Sequence, residues 1–468
     1  MSEIKGLGQS LANLDAWFDS WKDERNGIHG YVVHHHMDAL NVISPDTWTQ
    51  SAAILGHLKL FRRTCQKKWL DKALKEAGYL VETYLWERNI YRNSVFEHKP
   101  GSFEVQASLI HNAYPSYALL KLCKALKKEK RDYKRFFKVA KDNIENYIIK
   151  QCWDKKNKVL HRSAQEKGKH FVLNMASIGL RAILYLDELE PRGRIKKYCI
   201  PLAEKIISLQ ESNGAFPYTD EKKLSPLIYT AITMQGLLSL YKRVKKEKYL
   251  TACKEAALFL VENIDPETKL FYHRLEGKKL KKFPEFIAGS MVIAHQIKRL
   301  EEFGISFKQV DEIVHSVLKK QYRNGALPNF IGFSDVFMPE FYPPEPEKKK
   351  WRDVIAVPGW NALAFDALTY CLPEKTVLPK PRIKFPAAYN STEYKIIEDR
   401  KKIMFFDRKG NAVGKWFKEK DSCEFCFVPL RTGEERLKHS LFVWKKRLKL
   451  MKPLLNVMYP FRISEKKK

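Results

Sequence analysis

No stretch of this sequence approaches the roughly 18 uncharged apolar residues that a membrane-spanning helix requires, so its hydropathy predicts no segment that crosses a bilayer. Residues Met1 to Leu7 have neither an apolar core nor a small-residue cleavage pattern, and no secretory leader is expected. Cysteine is sparse: the eight residues are spread singly, apart from Cys423 and Cys426. That usage excludes a disulfide framework and points to reduced thiols in a cytoplasmic protein. The Cys423-x-x-Cys426 pair lacks a second pair at metal-binding spacing. A zinc site would have to recruit a ligand such as His439, and no metal is expected. Acidic residues are also in deficit, 54 Asp and Glu against 85 Lys and Arg, leaving a formal charge of +31. A field of that sign attracts nucleic acid, anionic membrane or acidic carbohydrate, unless the lysines merely keep helix exteriors solvated. No recognised nucleic-acid module accompanies the charge, which disfavours that partner.

What is present is a repeat. With 44% apolar residues the chain can bury a sizeable core, and a unit of roughly 50–60 residues recurs along it. Each unit opens with an apolar, small-residue helix, passes through a basic linker into an amphipathic helix, and ends in a polar turn. Residues 229–241, YTAITMQGLLSLY, suit a helix buried all round, whereas 249–262 keep Leu250, Cys253, Ala257 and Leu260 on one face. The same pairing is read at 48–61 with 70–85, 112–125 with 132–150, 173–186 with 194–210, and 285–300 with 307–321. A sixth apolar helix at 357–371 has no partner after it, because Pro373, Pro379 and Pro381 break the chain. The amphipathic segment 7–21 supplies that partner and closes the set into a ring. Closure removes the need for the polar capping unit of an open solenoid.

The turns after the amphipathic helices include Asn26-Gly27-Ile28, Asn213-Gly214-Ala215-Phe216 and Asn324-Gly325-Ala326-Leu327, in which Asn-Gly ends a helix and the next apolar residue enters the core. On this hairpin spacing, and on helix-ending segments such as Gln210-Glu211-Ser212-Asn213-Gly214-Ala215-Phe216, the chain resembles the (α/α)6 toroid families over residues 5–372. The resemblance implies an all-α (α/α)6 toroid of six helical hairpins at 1–372, with a C-terminal extension at 373–468. Many such toroids are carbohydrate-active: glycoside hydrolases, polysaccharide lyases, uronyl epimerases, and proteins of polysaccharide assembly. Others are terpenoid cyclases, prenyltransferase subunits and lanthionine cyclases, so fold does not choose the chemistry. Neither a DxDD motif nor a suitable Cys-His pair is present for those alternatives.

In such a ring the loops at the N-terminal ends of the inner helices surround one mouth, where helix dipoles favour anions. His161-Arg162 and His273-Arg274 read as matching positions there. Arg162 and Arg274 can clamp a carboxylate or phosphate, and His161 and His273 can exchange protons. Tyr218 and Asp220 form a further proton-transfer candidate, unless Phe216-Pro217-Tyr218 simply plugs its turn. The run His34-His35-His36 before Asp38 suggests a metal, but consecutive histidines point in different directions, and His36 is read instead as a substrate contact. Glu104, Glu285 and Glu340 stand near starts of inner helices, where a carboxylate pair could hydrolyse a glycoside or merely stabilise a helix N-terminus. Trp48 and Trp360 are placed to stack on sugar rings or to fill core. No cofactor is expected.

Beyond 372 the repeat stops. Segments 394–406 and 413–417 flank Asp407-Arg408-Lys409-Gly410-Asn411 as a β-hairpin. A basic amphipathic helix follows at 435–452, with Leu437, Leu441, Trp444, Leu448 and Met451 in one stripe. That stripe either docks on the ring or lies on an anionic membrane, peripheral to its inner face. The leading expectation is an enzyme that acts on a uronate- or phosphate-bearing glycan, or a glycan precursor, by lysis, epimerisation or hydrolysis. The alternative is a non-catalytic toroid binding protein or membrane-associated scaffold.

Overall fold

A helix that is apolar or small on every face must be buried on every side, and the apolar helices of the repeat are. In the computed structural model, which describes residues 4–28, 30–33, 40–43, 47–91, 107–166, 171–221, 224–332, 346–347, 349–392 and 394–418, they form the inner layer. They are α2 (Thr47–Thr64), α4 (Leu109–Lys128), α6 (Leu173–Leu189), α8 (Leu227–Val244), α10 (Ile287–Lys298) and α13 (Pro358–Tyr370). Each touches the next in that order, and α13 returns to α2, so the layer is a closed ring. The helices run parallel. Thr47 Oγ1 donates to His111 O at 2.8 Å where α2 and α4 begin, and Lys124 pairs with Glu188 at 2.5 Å where α4 and α6 end. Close approach needs small residues: Gly236 N–H donates to Ser177 Oγ at 2.9 Å, and a β-carbon on Gly236 would stand 2.8 Å from Ser177 O.

The outer layer comprises α1 (Leu7–Asp19), α3 (Lys67–Glu82), α5 (Lys134–Asp142, prolonged as a wider helix to Cys152), α7 (Ile200–Ile207), α9 (Glu247–Glu262) and α11 (Gln309–Leu318). From α3 onward, each packs on the inner helix that precedes it, and α1 packs on α13. A repeated glutamine shows how α1 takes the sixth place. Gln210 Nε2 donates to Gly214 O and to Ala252 O of the following outer helix, α9, both at 2.9 Å. Gln321 Nε2 makes the same two bonds, to Gly325 O at 2.6 Å and to Ser10 O of α1 at 3.0 Å. Gly325 has φ +93°, and a β-carbon there would lie 2.2 Å from the Asn13 carbonyl oxygen. Gly325→Ala is therefore expected to loosen α1 and to cost about 2–3 kcal/mol. Limited proteolysis should then cut first around α1, which denaturant titration would accompany with a lower midpoint.

The closing seam also holds a buried charge chain. His57 of α2 bonds Asp15 Oδ1 of α1 through Nε2 at 2.8 Å and Glu76 Oε2 of α3 through Nδ1 at 2.7 Å. Lys22 reaches Glu76 at 2.8 Å, and Lys72 reaches Asp15 at 2.5 Å.

After the ring, strands Ala387–Asn390, Lys395–Glu398, Lys402–Phe406 and Ala412–Phe417 form a sequential antiparallel sheet. The expected turn at 407–411 joins its last two strands. Glu398 fixes the sheet to the ring: its fully buried carboxylate accepts from Trp17 Nε1 of α1 at 2.9 Å, Lys418 Nζ at 2.6 Å and Asn324 Nδ2 at 3.0 Å. A short helix, α12 (Trp351–Val354), leads into α13. The stretch 435–452 and both Cys423 and Cys426 lie outside the described residues. Among the described residues no helix is long and apolar enough to cross a membrane.

Candidate functional site

The first N–H groups of a helix have no partner inside it. Here four of the inner helices find one in the next turn around the ring. Leu109 N–H donates to Arg162 O at 2.7 Å, Leu173 N–H to Tyr218 O at 3.2 Å, Leu227 N–H to His273 O at 3.2 Å, and Ile287 N–H to Asn329 O at 3.1 Å. Arg162, Tyr218, His273 and Asn329 are thus equivalent positions of four repeats, and all stand at the N-terminal ends of inner helices. Two residues before them, Leu160, Phe216, Phe271 and Leu327 are buried. This register corrects the pairing of His161-Arg162 with His273-Arg274. His161 matches Tyr272, because their N–H groups donate to Cys152 O and Asn263 O respectively, both at 3.0 Å. Arg162 therefore matches His273.

Aromatic side chains gather around these positions. Tyr218 stacks on Tyr229 of α8 with ring centroids 5.2 Å apart, and His273 lies 5.4 Å from Phe286. Phe286 meets Trp360 of α13 at 5.0 Å. Trp48 of α2 packs 5.1 Å from Tyr114 and 6.1 Å from His111, both on α4. Gly359 approaches Thr49, so Trp360 and Trp48 flank the same end of the ring. Trp48, Arg162, Tyr218, Tyr229, His273, Phe286 and Trp360 are each half-buried in otherwise buried surroundings, which suits the lining of a concave upper mouth. Burial holds the His111 imidazole down to about 4, so it is neutral near pH 7.

Arg274 adjoins this set, its Nη1 3.2 Å from His273 Nε2 and its Nε donating to Glu276 Oε1 at 2.7 Å. Other predicted residues stand apart: His161 is buried with Nε2 3.4 Å from Asp154 Oδ2. Asp220 is exposed and accepts the Phe171 N–H at 3.4 Å. Glu285 is fully buried, and Thr268 Oγ1 donates to its Oε2 at 2.8 Å. Burial, and then the neighbouring Asp265 carboxylate, push its pKa up to about 8, so Glu285 is protonated near pH 7 while Asp265 pairs with Lys282. Because Glu285 and Phe286 are successive residues of a strand pair, their side chains take opposite faces. Phe286 has the mouth, and Glu285 has the wall. His36, Glu104 and Glu340 lie outside the described residues.

No protein-family model matches this chain, and no curated protein does. Solved structures match over most of its length. Cellobiose 2-epimerase from Bacillus thermoamylovorans aligns with TM-score 0.56 at 11% identity, over 78% of this chain and 99% of that one. An unsaturated glucuronyl hydrolase specific for heparin gives 0.55 at 10%, over 79% and 96%. D-mannose isomerase gives 0.56 at 12%, over 77% and 95%. At such identities the likeness is one of architecture. The fold is an (α/α)6 toroid.

Below its mouth, the toroid sends polar side chains from every inner helix into the lumen: Lys59, Tyr117, Arg181, Gln235, His295 and Asp366. Arg181 Nη2 donates to Tyr117 OH at 2.6 Å, and the guanidinium lies 4.0 Å from the Tyr117 ring centroid. Lys59 Nζ pairs with the Asp366 carboxylate at 2.9 Å. Trp48, Tyr114 and Tyr117 form a ladder from the mouth down to Arg181. These lumen residues are missing from the sequence-derived set, although a signal exists. Arg181 is the single charge in 173–186, and a lone charge on an all-apolar inner helix has no solvent face to occupy.

Proposed function

We propose that this toroid is an enzyme acting by proton transfer on an anionic sugar, cleaving or epimerising a uronate-bearing glycan or glycan precursor. The observation that carries the reading is the set Arg162, Tyr218 and His273 on equivalent turns of one mouth, among the half-buried aromatics Trp48, Phe286 and Trp360. Aromatic faces suit sugar rings. The Arg162 guanidinium, beside helix N-termini, suits the substrate carboxylate. Neutralising that carboxylate acidifies the adjacent C–H. Tyr218 and His273 flank the start of α8, one on either side, so one can take the proton and the other can return it. Return to the leaving oxygen breaks the glycosidic bond and leaves a C=C bond, whereas return to the opposite face of the carbon inverts it.

Hydrolysis by two carboxylates across the bond has less support among the described residues, because the close pair Asp265 and Glu285 is in the wall. The solved toroids named above include an epimerase of cellobiose, an isomerase of mannose and a hydrolase of unsaturated glucuronyl groups. In the same reading the enzyme works in the cytoplasm, where described thiols such as Cys65 and Cys123 stay unpaired, with 435–452 against an anionic membrane surface.

Incubation with uronate-containing oligosaccharides in deuterated water tests the proposal. Deuterium entering the carbon beside the carboxylate, or a new unsaturated product, is the expected result. Binding without exchange or cleavage would leave a non-catalytic binding protein. Release of reducing ends without either would assign hydrolysis instead.

A further inference from the structure

We propose that the lower half of the lumen, where Lys59, Arg181 and Arg299 converge, binds a phosphate-type oxyanion, either free or as the terminal group of a small molecule. This site is separate from the mouth and independent of the reaction there. Helices α2, α6 and α10 alternate around the ring with α4, α8 and α13, so their side chains can meet only inside the lumen. They do meet: Lys59 Nζ lies 3.4 Å from His295 Nε2 of α10. Burial, reinforced by Arg181 and Arg299 and opposed by Asp366, pushes the Lys59 ammonium down to about 8.

The charges do not balance. Arg181 is 9% exposed, yet its hydrogen bonds go to the neutral oxygens of Tyr117 and Gln235, and its Nε has no partner. Arg299 likewise uses Gln296 Oε1 at 2.9 Å and Ser239 Oγ at 3.5 Å. Lys121 sits over the Tyr185 ring at 4.9 Å. Among these cations Asp366 pairs with Lys59, while Glu302, which bonds Lys242 and Tyr370, answers Arg299 only in part from the rim. The rim one turn further on is different: Lys124 and Arg243 both pair with Glu188, and Lys242 pairs with Glu302 at 2.8 Å. Carboxylates therefore neutralise the rim and are scarce inside it. A cation withdrawn from bulk water without a counter-charge is strongly unfavourable unless an anion joins it.

The space is also reachable. Deep as it lies, the Lys59 side chain is 21% exposed and that of Asp366 13%, and Tyr185, Gln235 and Arg299 are half-buried. Two guanidiniums and an ammonium around one axis offer the donors that a tetrahedral oxyanion accepts from several sides. Burial opposes ionisation of Tyr185, but Lys121, Arg181 and Arg299 bring its hydroxyl down to about 8, which reflects how positive the lumen is.

Calorimetric titration of the full chain with inorganic phosphate, and separately with a sugar 1-phosphate, at constant ionic strength set by chloride, tests this site. Saturable binding of either is expected, inorganic phosphate identifying a free-ion site and the ester alone a terminal-group site. Arg181→Gln and Arg299→Gln should each weaken it by ~10-fold or more, as loss of a charge-assisted bond does. Asp366→Asn, which removes the competing carboxylate, should tighten it, an outcome that a merely unfolded variant cannot give. Tyr218→Phe should leave it unchanged, separating this result from the fate of the mouth chemistry. Absence of saturable heat with both ligands, or wild-type affinity in both arginine variants, would overturn the proposal.

Discussion

Glu76→Gln is expected to destabilise the protein by about 3–5 kcal/mol, because it removes one partner from a fully buried set of charges and leaves others unanswered. Glu76 is flanked by His57 at 2.7 Å and Lys22 at 2.8 Å, and neither Glu76 nor His57 has any solvent exposure. The same set dictates a pH dependence. Burial works against a charged His57, yet Glu76 and Asp15 outweigh it and raise its pKa above the ordinary 6.5. Its stabilisation is therefore complete below 6.5 and is lost as pH rises through the higher folded value. Burial likewise opposes ionisation of Glu76, but His57 and Lys22 lower its pKa from 4.5 to about 2. Its contribution is present above 4.5 and disappears as pH falls toward 2. Denaturation midpoints of the wild type should thus decline on both sides of mildly acidic pH, and in Glu76→Gln the acid-side decline should be shallower. An unchanged profile would mean that the seam is not held by these charges.

Tyr218→Phe and His273→Gln should each lower kcat for the anionic sugar by ~10²–10⁴-fold, the usual share of a positioned proton-transfer group. Both side chains are half-buried and face neighbours that the variants retain, so thermal stability should change little. Arg162→Gln should instead raise KM most, since it removes a binding charge rather than a proton carrier. If all three variants turn over substrate like the wild type, the reaction takes place elsewhere in the toroid.

Much of the ring is legible in the sequence, because buried-all-round helices such as 229–241 admit few alternatives to an inner layer. The missing partner of 357–371 likewise implies α1, which does pack there. The site is less legible for reasons of one residue. His161-Arg162 and His273-Arg274 look alike as dipeptides, but the backbone places Arg162 opposite His273. Glu285 reads as a mouth carboxylate until strand pairing turns it into the wall and gives the mouth to Phe286. Such choices rest on hydrogen bonds between repeats, and spacing along the chain does not encode them. Lys59 and Arg299 converge inside the lumen from helices far apart in the sequence, which a reading of single segments does not assemble.

The seam between α1 and α13 also governs when the molecule becomes complete. Ser10 of α1 and Gln321, just past α11, bind each other where the ring closes and are 311 positions apart. During synthesis α1 waits, with Trp17 and Phe18 uncovered, while the intervening hairpins form locally one after another. Hairpin formation is a short-range event and fast, whereas joining the two ends carries the long-range entropy of the whole ring. Until the last inner helix arrives, the growing chain is an open arc with two sticky edges. Its greatest exposure to aggregation, and to chaperones, falls just before the arc shuts.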